Sequence, residues 1–142
     1  MTIVTCNGCF DGLHPGHMFF LGFCRAQGDF LIVGINSDRY LREHKRQNFL
    51  PAEERKKALL ELGFIEAVVI FDEEGPCRFI SNVNPQVHCT GEEYRGRAVE
   101  EPLCREKGIR LVYVPRVGKW SSTALKGSGK YEQDISTLRG TG

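Results

Sequence analysis

The chain has 142 residues, 41% of them hydrophobic and 26% charged, which describes one globular domain and excludes intrinsic disorder. Lys+Arg is 19 and Asp+Glu is 18, a formal net charge of +1, which excludes a general nucleic-acid or membrane-surface binder. No apolar run approaches the ~18 residues of a membrane span, and the start Met1-Thr2-Ile3-Val4-Thr5 carries no secretory pattern, so a cytoplasmic protein with six reduced cysteines is expected.

In chain order, a strand is predicted at 3–6, then a helix at 17–26 that stops at Gly28. A strand at 30–36 precedes a helix at 52–62, with Pro51 near its start and Gly63 at its end. A strand at 67–71 leads to a shorter helix at 77–82, ended by Pro85. A strand at 87–89, a helix at 99–107 halted by Gly108, and a strand at 110–114 follow, with a last helix from about 123. The strands are short, rich in Val, Ile or Leu and almost free of polar alternation, as strands buried on both faces read. Right-handed crossovers then predict an α/β fold: a doubly wound, five-stranded parallel sheet with helices on both faces. The domain is expected over 1–126. The tail 127–142 has four glycines and few large apolar residues, and is expected to be mobile or to pack on a partner.

Ligands of such sheets bind beyond the carboxyl ends of the strands, where strand order reverses. After the first strand the chain reads Gly8-Cys9-Phe10-Asp11-Gly12-Leu13-His14-Pro15-Gly16-His17. Neither a G-x-x-x-x-G-K-[ST] loop nor a G-x-G-x-x-G fingerprint occurs. A helix starting near His17 would instead direct free backbone N–H groups at an anion. Gly16 would let a phosphate approach closely, and the imidazoles of His14 and His17 would donate to its oxygens. Cys6-x-x-Cys9 with His14-x-x-His17 also offers a zinc or redox reading, but the Cys–His gap is short for zinc and Cys6 falls in the strand.

Further along, Arg39, Arg42, His44, Lys45, Arg46, Arg55, Lys56 and Lys57 form a basic stretch. Lys45 and Arg46 fall in a loop able to close over phosphates, Arg55 lies one turn inside a helix near the rim, and Lys56 and Lys57 read as solvated surface. After the fifth strand, Arg116, Lys119 and the run Ser121-Ser122-Thr123 suggest a second anion-binding helix start or simply a well-capped helix. In Thr90-Gly91-Glu92-Glu93-Tyr94, carboxylates such as Glu92 would accept from a base amino group or sugar hydroxyls, or merely face solvent.

Together these segments resemble the nucleotidyltransferase superfamily whose hallmark is H-x-G-H, and more narrowly the cytidylyltransferase-like family with its Rossmann-like fold. The motif G-x-F-D-x-L-H-x-G-H matches residues 8–17 except at Gly12, where a larger apolar residue is usual. Gly28-Asp29, Asn36-Ser37-Asp38, Glu53-x-Arg55 and Ser121–Thr123 match in order, so the resemblance spans about 3–126. Asn7 to Asp11, Ile32-Val33 with Asn36-Ser37-Asp38, and Phe71-Asp72-Glu73-x-x-Pro76 are similar to heptose-1-phosphate adenylyltransferases. Pro115-Arg116 and Gly91 to Tyr94 are similar to glycerol-3-phosphate cytidylyltransferases.

The resemblance implies transfer of a nucleotidyl group from an NTP, ATP favoured over CTP, to a small sugar or polyol phosphate, with pyrophosphate released. Mg²⁺ is implied on the triphosphate, held by no dedicated protein site. The implied roles are phosphate donation by His14 and His17, backbone N–H donation from Cys9 and Phe10, and loop orientation or a Mg²⁺-bound water for Asp11. Lys45 and Arg46 would close over the triphosphate or acceptor, while Arg116, Ser121, Ser122 and Thr123 hold the outer phosphates. His44 is placed with the acceptor, and Arg55 anchors the acceptor or orders the basic loop. Neither nucleic acid nor membrane is implied as a partner; a homodimer is, with Trp120 and the tail as interface candidates. A nucleotide-binding module without turnover, a zinc module and a class I aminoacyl-tRNA synthetase fragment are the other readings.

Overall fold

A computed structural model describes residues 1–44, 46–73 and 75–116. Five strands alternate with helices: β1 (Ile3–Gly8), α1 (Pro15–Arg25), β2 (Phe30–Asn36), α2 (Asp38–Glu43), α3 (Ala52–Leu60), β3 (Ala67–Phe71), α4 (Cys77–Val83), β4 (Val87–Gly91), a 3₁₀ turn (Glu92–Tyr94), α5 (Glu101–Lys107) and β5 (Arg110–Val114). All strand pairs are parallel, in the order β3-β2-β1-β4-β5.

Alternation along each strand feeds two apolar cores. Leu31, Val33 and Ile35 of β2 pack with Val4 and Cys6 of β1, Phe19 and Leu21 of α1, and Leu59 of α3. Ile32 points the other way, into a cluster with Phe79 and Ile80 of α4 and Cys104 of α5. Side chains two apart along a strand share a face, so α1 and α3 cover one face and α4 and α5 the other. Gly34 makes the second packing possible: a Cβ there would lie 2.8 Å from the Phe79 ring.

The strands and four of the helices fall where the apolar pattern puts them, with differences at the ends. β1 and β4 run on to Gly8 and Gly91, because Gly8 still pairs with Ile35 and Gly91 with Val114. α1 begins at Pro15 rather than 17, since proline at the first turn has no N–H to leave unpaired. α5 begins at Glu101 rather than 99. The unexpected α2 is capped by Ser37, whose hydroxyl accepts from the Tyr40 N–H at 3.0 Å. Ser37 also bonds the Asp72 carboxylate, joining the ends of β2 and β3. The helix expected from about 123 and the tail 127–142 lie outside the described residues. Among the described residues, no helix is long and apolar enough to cross a membrane.

Candidate functional site

Strand order reverses between β1 and β4. At this carboxyl edge lies a cleft of about 950 Å³ bounded by segments that follow β1, β2, β4 and β5. Cys9, Phe10, His14, Gly16, His17 and Arg116 all line it, so these residues after the first strand share the cleft with Arg116 after the fifth.

His14 is the N-cap of α1. Its Nδ1 accepts from the N–H groups of Gly16 at 3.0 Å and His17 at 3.4 Å. The His14 N–H in turn donates to His17 Nδ1 at 3.3 Å, completing a capping box. The amides expected to be free for an anion are therefore taken by an imidazole. With both Nδ1 atoms accepting, each neutral ring carries its proton on Nε2, and those Nε2–H groups are the ring donors, that of His17 within reach of the Gly12 backbone. The two rings stack with centroids 3.6 Å apart. Burial, followed by the neighbouring His14, lowers the His17 pKa to about 4 against an opposing hydrogen bond to the Gly12 backbone. His17 is thus a neutral donor at physiological pH.

Phe10 fixes the approach to this pair. It has a φ of +49°, a backbone state costing a bulky L-residue about 1–2 kcal/mol. Its buried ring compensates by lying over Gly8, where a Cβ would be 2.9 Å away, and by meeting the His17 ring edge-on at 5.3 Å. Arg55 locks the loop from beneath. Its fully buried guanidinium donates to the carbonyls of Cys9 at 3.1 Å, Asn36 at 2.8 Å and Leu50 at 2.8 Å, and pairs with Asp38 at 3.0 Å. Acceptor binding by Arg55 is thereby corrected: its donors are spent inside the protein, and it orders the loops instead.

Asp11 takes the loop-orienting role, while Arg46 and His44 shift in the same way as Arg55. Asp11 accepts from the Leu50 N–H at 2.8 Å and pairs with Arg46 at 3.8 Å, so both side chains tie the loop after β1 to the segment before α3 and stand off the cleft wall. His44 caps the end of α2, bonds the Tyr40 carbonyl at 2.8 Å and stacks on the Tyr40 ring; Tyr40, not His44, lines the cleft. After β4 the lining carboxylate is Glu93 rather than Glu92, with Glu93 packed against Gly91. Lys45, Ser121, Ser122, Thr123, Lys119 and Trp120 lie outside the described residues.

The β4 side of the cleft holds residues the sequence did not single out. Arg97 lines the wall, its Nε donating to the Glu93 carbonyl at 3.0 Å and its guanidinium 5.3 Å from the Tyr94 ring. Glu100 also lines the cleft although only 5% exposed, and its Oε2 lies 3.2 Å from Nε2 of the fully buried His88. His88 Nδ1 meets Thr5 Oγ1 at 2.7 Å, across the β1–β4 register. Burial pushes the Glu100 carboxyl up, but the His88 hydrogen bond, its own backbone N–H, the His88 charge and Thr90 together bring it below the usual glutamate range. Only the fold, which sets His88 beside Thr5 on adjoining strands and Glu100 at the start of α5, reveals this chain; no motif marks it.

Among the described residues, no group of three or more His, Cys, Asp or Glu side chains is arranged to hold a metal ion. Cys6 lies buried in the apolar core with Cys24 and Cys89, and Cys9 Sγ donates to Asn36 Oδ1 at 3.3 Å. The Cys/His spacing therefore does not gather into a zinc set.

The cytidylyltransferase-like family model matches residues 5–115. The chain is 38% identical over 127 residues to the bifunctional protein HldE of Streptomyces coelicolor, covering 87% of this chain and 27% of that protein. It is 41% identical over 100 residues to HldE of Campylobacter fetus, covering 69% of this chain and 22% of that protein. The chain thus spans about a quarter of the length of these relatives. Among solved structures, the lipopolysaccharide core biosynthesis protein of Thermoplasma volcanium superposes with a TM-score of 0.66 at 24% identity, covering 82% of this chain and 97% of that one. Pantothenate synthetase of Thermus thermophilus superposes with a TM-score of 0.59 at 18% identity, covering 98% of this chain and 67% of that one; both likenesses concern the fold. With its match over most of the chain, this protein belongs to the cytidylyltransferase-like family of nucleotidyltransferases.

Proposed function

We propose that this chain transfers a nucleotidyl group from an NTP, ATP in preference to CTP, to a small sugar or polyol phosphate, most like a heptose-1-phosphate adenylyltransferase. One observation carries the reading: two stacked, backbone-locked imidazoles at the start of α1 line a cleft at the reversal of strand order. An oxygen of the acceptor phosphate attacks the α-phosphorus in line. A new P–O bond forms as the bond to the departing pyrophosphate breaks. The acceptor phosphate is already a nucleophile at neutral pH, so the chain's task is positioning and charge stabilisation.

The Nε2–H groups of His14 and His17 donate to the α- and β-phosphates as charge builds on them. A neutral donor at His17 suits this step, since it needs no proton lost or regained between turnovers. Cys9 and Phe10 present backbone to the α-phosphate, with Arg55 holding the Cys9 carbonyl in place. Arg116 supplies positive charge beside the outer phosphates, with Ser121, Ser122 and Thr123, and Lys45 closes over the reactants. Mg²⁺ carried on the triphosphate would supply neutralisation of phosphate charge there.

The runner-up, glycerol-3-phosphate with CTP, draws on Pro115-Arg116 and on Gly91 to Tyr94. One assay separates them. The chain is incubated with each NTP, Mg²⁺ and a panel of phosphomonoesters, and pyrophosphate is measured. Release with ATP and a sugar 1-phosphate is expected. Release confined to CTP selects the runner-up. Nucleotide-dependent thermal stabilisation without pyrophosphate in any combination replaces the enzyme with a binding module.

A further inference from the structure

The Thr5–His88–Glu100 chain has no part in the mechanism above. It is a buried polar line across β1 and β4 that ends in a carboxylate at the cleft wall. Glu100 Oε2 meets His88 Nε2 at 3.2 Å. A carboxylate has about four acceptor positions, more than this contact fills, and the residue borders the cleft. A buried charge of this kind costs several kcal/mol of desolvation, and an uncharged acceptor would satisfy His88 equally well. The second carboxylate on this side, Glu93, is packed against Gly91. Beside the Arg97 guanidinium, the two carboxylates make this end of the cleft receptive to N–H or O–H hydrogens. The imidazoles of His14 and His17 give the opposite preference to the part of the cleft beside α1.

We infer that Glu100 is a specificity-determining residue, accepting a hydrogen bond from the uncharged, donor-bearing part of a substrate, a nucleobase amino group or a sugar hydroxyl. His88 and Thr5 are positioning residues that hold its carboxylate toward the cleft. The assignment rests on the transferase reading and extends it, moving to Glu100 the role that the sequence suggested for Glu92.

The test is calorimetric binding to the full chain and to Glu100→Gln. One arm uses ATP, its analogue lacking the 6-amino group, and 2′-deoxy-ATP and 3′-deoxy-ATP. The other uses heptose-1-phosphate, glycerol-3-phosphate and deoxy-sugar phosphates. The variant is expected to weaken either the nucleotide or the acceptor arm roughly 10- to 100-fold, the range for a hydrogen bond to a charged group, leaving the other arm within twofold. The analogue that lacks the recognised hydrogen is expected to bind wild type and variant equally, a result a merely structural residue would not give. Glu100→Asp keeps the charge, withdraws it by one methylene and is expected to show the same selective loss. Unchanged affinities, or equal weakening of every ligand including the analogues, overturn the inference. So does collapse of the fold in both variants, which makes Glu100 a wall residue only. A wild-type chain that binds neither NTP nor any phosphomonoester overturns the transferase reading and this inference with it. Normal wild-type binding with an indifferent variant overturns the inference alone.

Discussion

The loops after β1 and β4 line the same cleft and are built on opposite plans. The first is held rigid from inside. Arg55 binds the Cys9 carbonyl, Asp11 is tied to Leu50 and Arg46, and the two histidines cap their own helix. The second, from Gly91 to Glu100, presents exposed Glu92, Glu93, Tyr94 and Arg97 and is anchored at its far end by the buried Glu100–His88 contact. The difference teaches where each kind of recognition belongs. Charge building in a transition state needs donors fixed in advance, whereas selecting among substrates can be left to a varied rim on a firm base.

The largest effect that would break this contrast is on stability. Arg55→Ala leaves the carbonyls of Cys9, Asn36 and Leu50 without its donors, while Asp38, a third exposed, keeps the Ala52 N–H. It is expected to cost about 3 kcal/mol, at roughly 1–3 kcal/mol for each buried acceptor left unpaired, read as a lower urea midpoint. Glu93→Ala and Arg97→Ala, on the exposed rim, are expected to stay within about 0.5 kcal/mol. Equal costs for the two loops would erase the distinction.

A smaller effect tests whether the face behind the sheet is as tightly fitted as the loop after β1. Gly34→Ala sets a Cβ against the Phe79 ring and is expected to cost about 1–3 kcal/mol by overpacking, with the nucleotide KM unchanged. A neutral result in thermal melting would mean that α4 yields freely.

The smallest effect is on pH dependence. His17 has a folded pKa of about 4, below its ordinary value of 6.5. Between these values the unfolded chain binds the proton and the folded chain does not, so stability rises with pH. This contribution is complete above about pH 6.5 and is lost as pH falls toward 4. His17→Gln is therefore expected to lose less stability than wild type between pH 7 and pH 4.5. Parallel melting curves across that range would place the His17 proton elsewhere.

The sheet was legible because each strand is a compact Val, Ile or Leu run between glycines and prolines. Its strand ends were less so: Asn7-Gly8 and Thr90-Gly91 look like loop, yet parallel pairing carries on through them. α2 was hidden by its charges, since Leu41 is its one buried side chain. At the site, His14 and His17 were readable from spacing alone, but the use of the α1 amides by His14 was not, because a cap depends on the N-cap rotamer. Of the two roles the sequence offers Arg55, acceptor anchor or loop organiser, only the fold selects the second, because helix α3 turns the side chain inward under two strand ends. His88 and Glu100 are unremarkable in the sequence and gain meaning only from the contact that the fold creates between β4 and the start of α5.

The central claim is that the paired imidazoles at the start of α1 stabilise charge on the polyphosphate, His17 as a neutral donor. The most direct measurement is the steady-state rate of pyrophosphate release by His17→Ala beside wild type, from pH 5.5 to 8, with melting temperatures taken on the same samples. The account predicts a loss of roughly 10²–10³ in kcat at every pH in this range, since His17 with a pKa of about 4 stays neutral across it, and a retained cooperative melt. A correctly folded variant within twofold of wild type, or a ratio of the two rates that changes through pH 6.5 as His17 titrates, would contradict it.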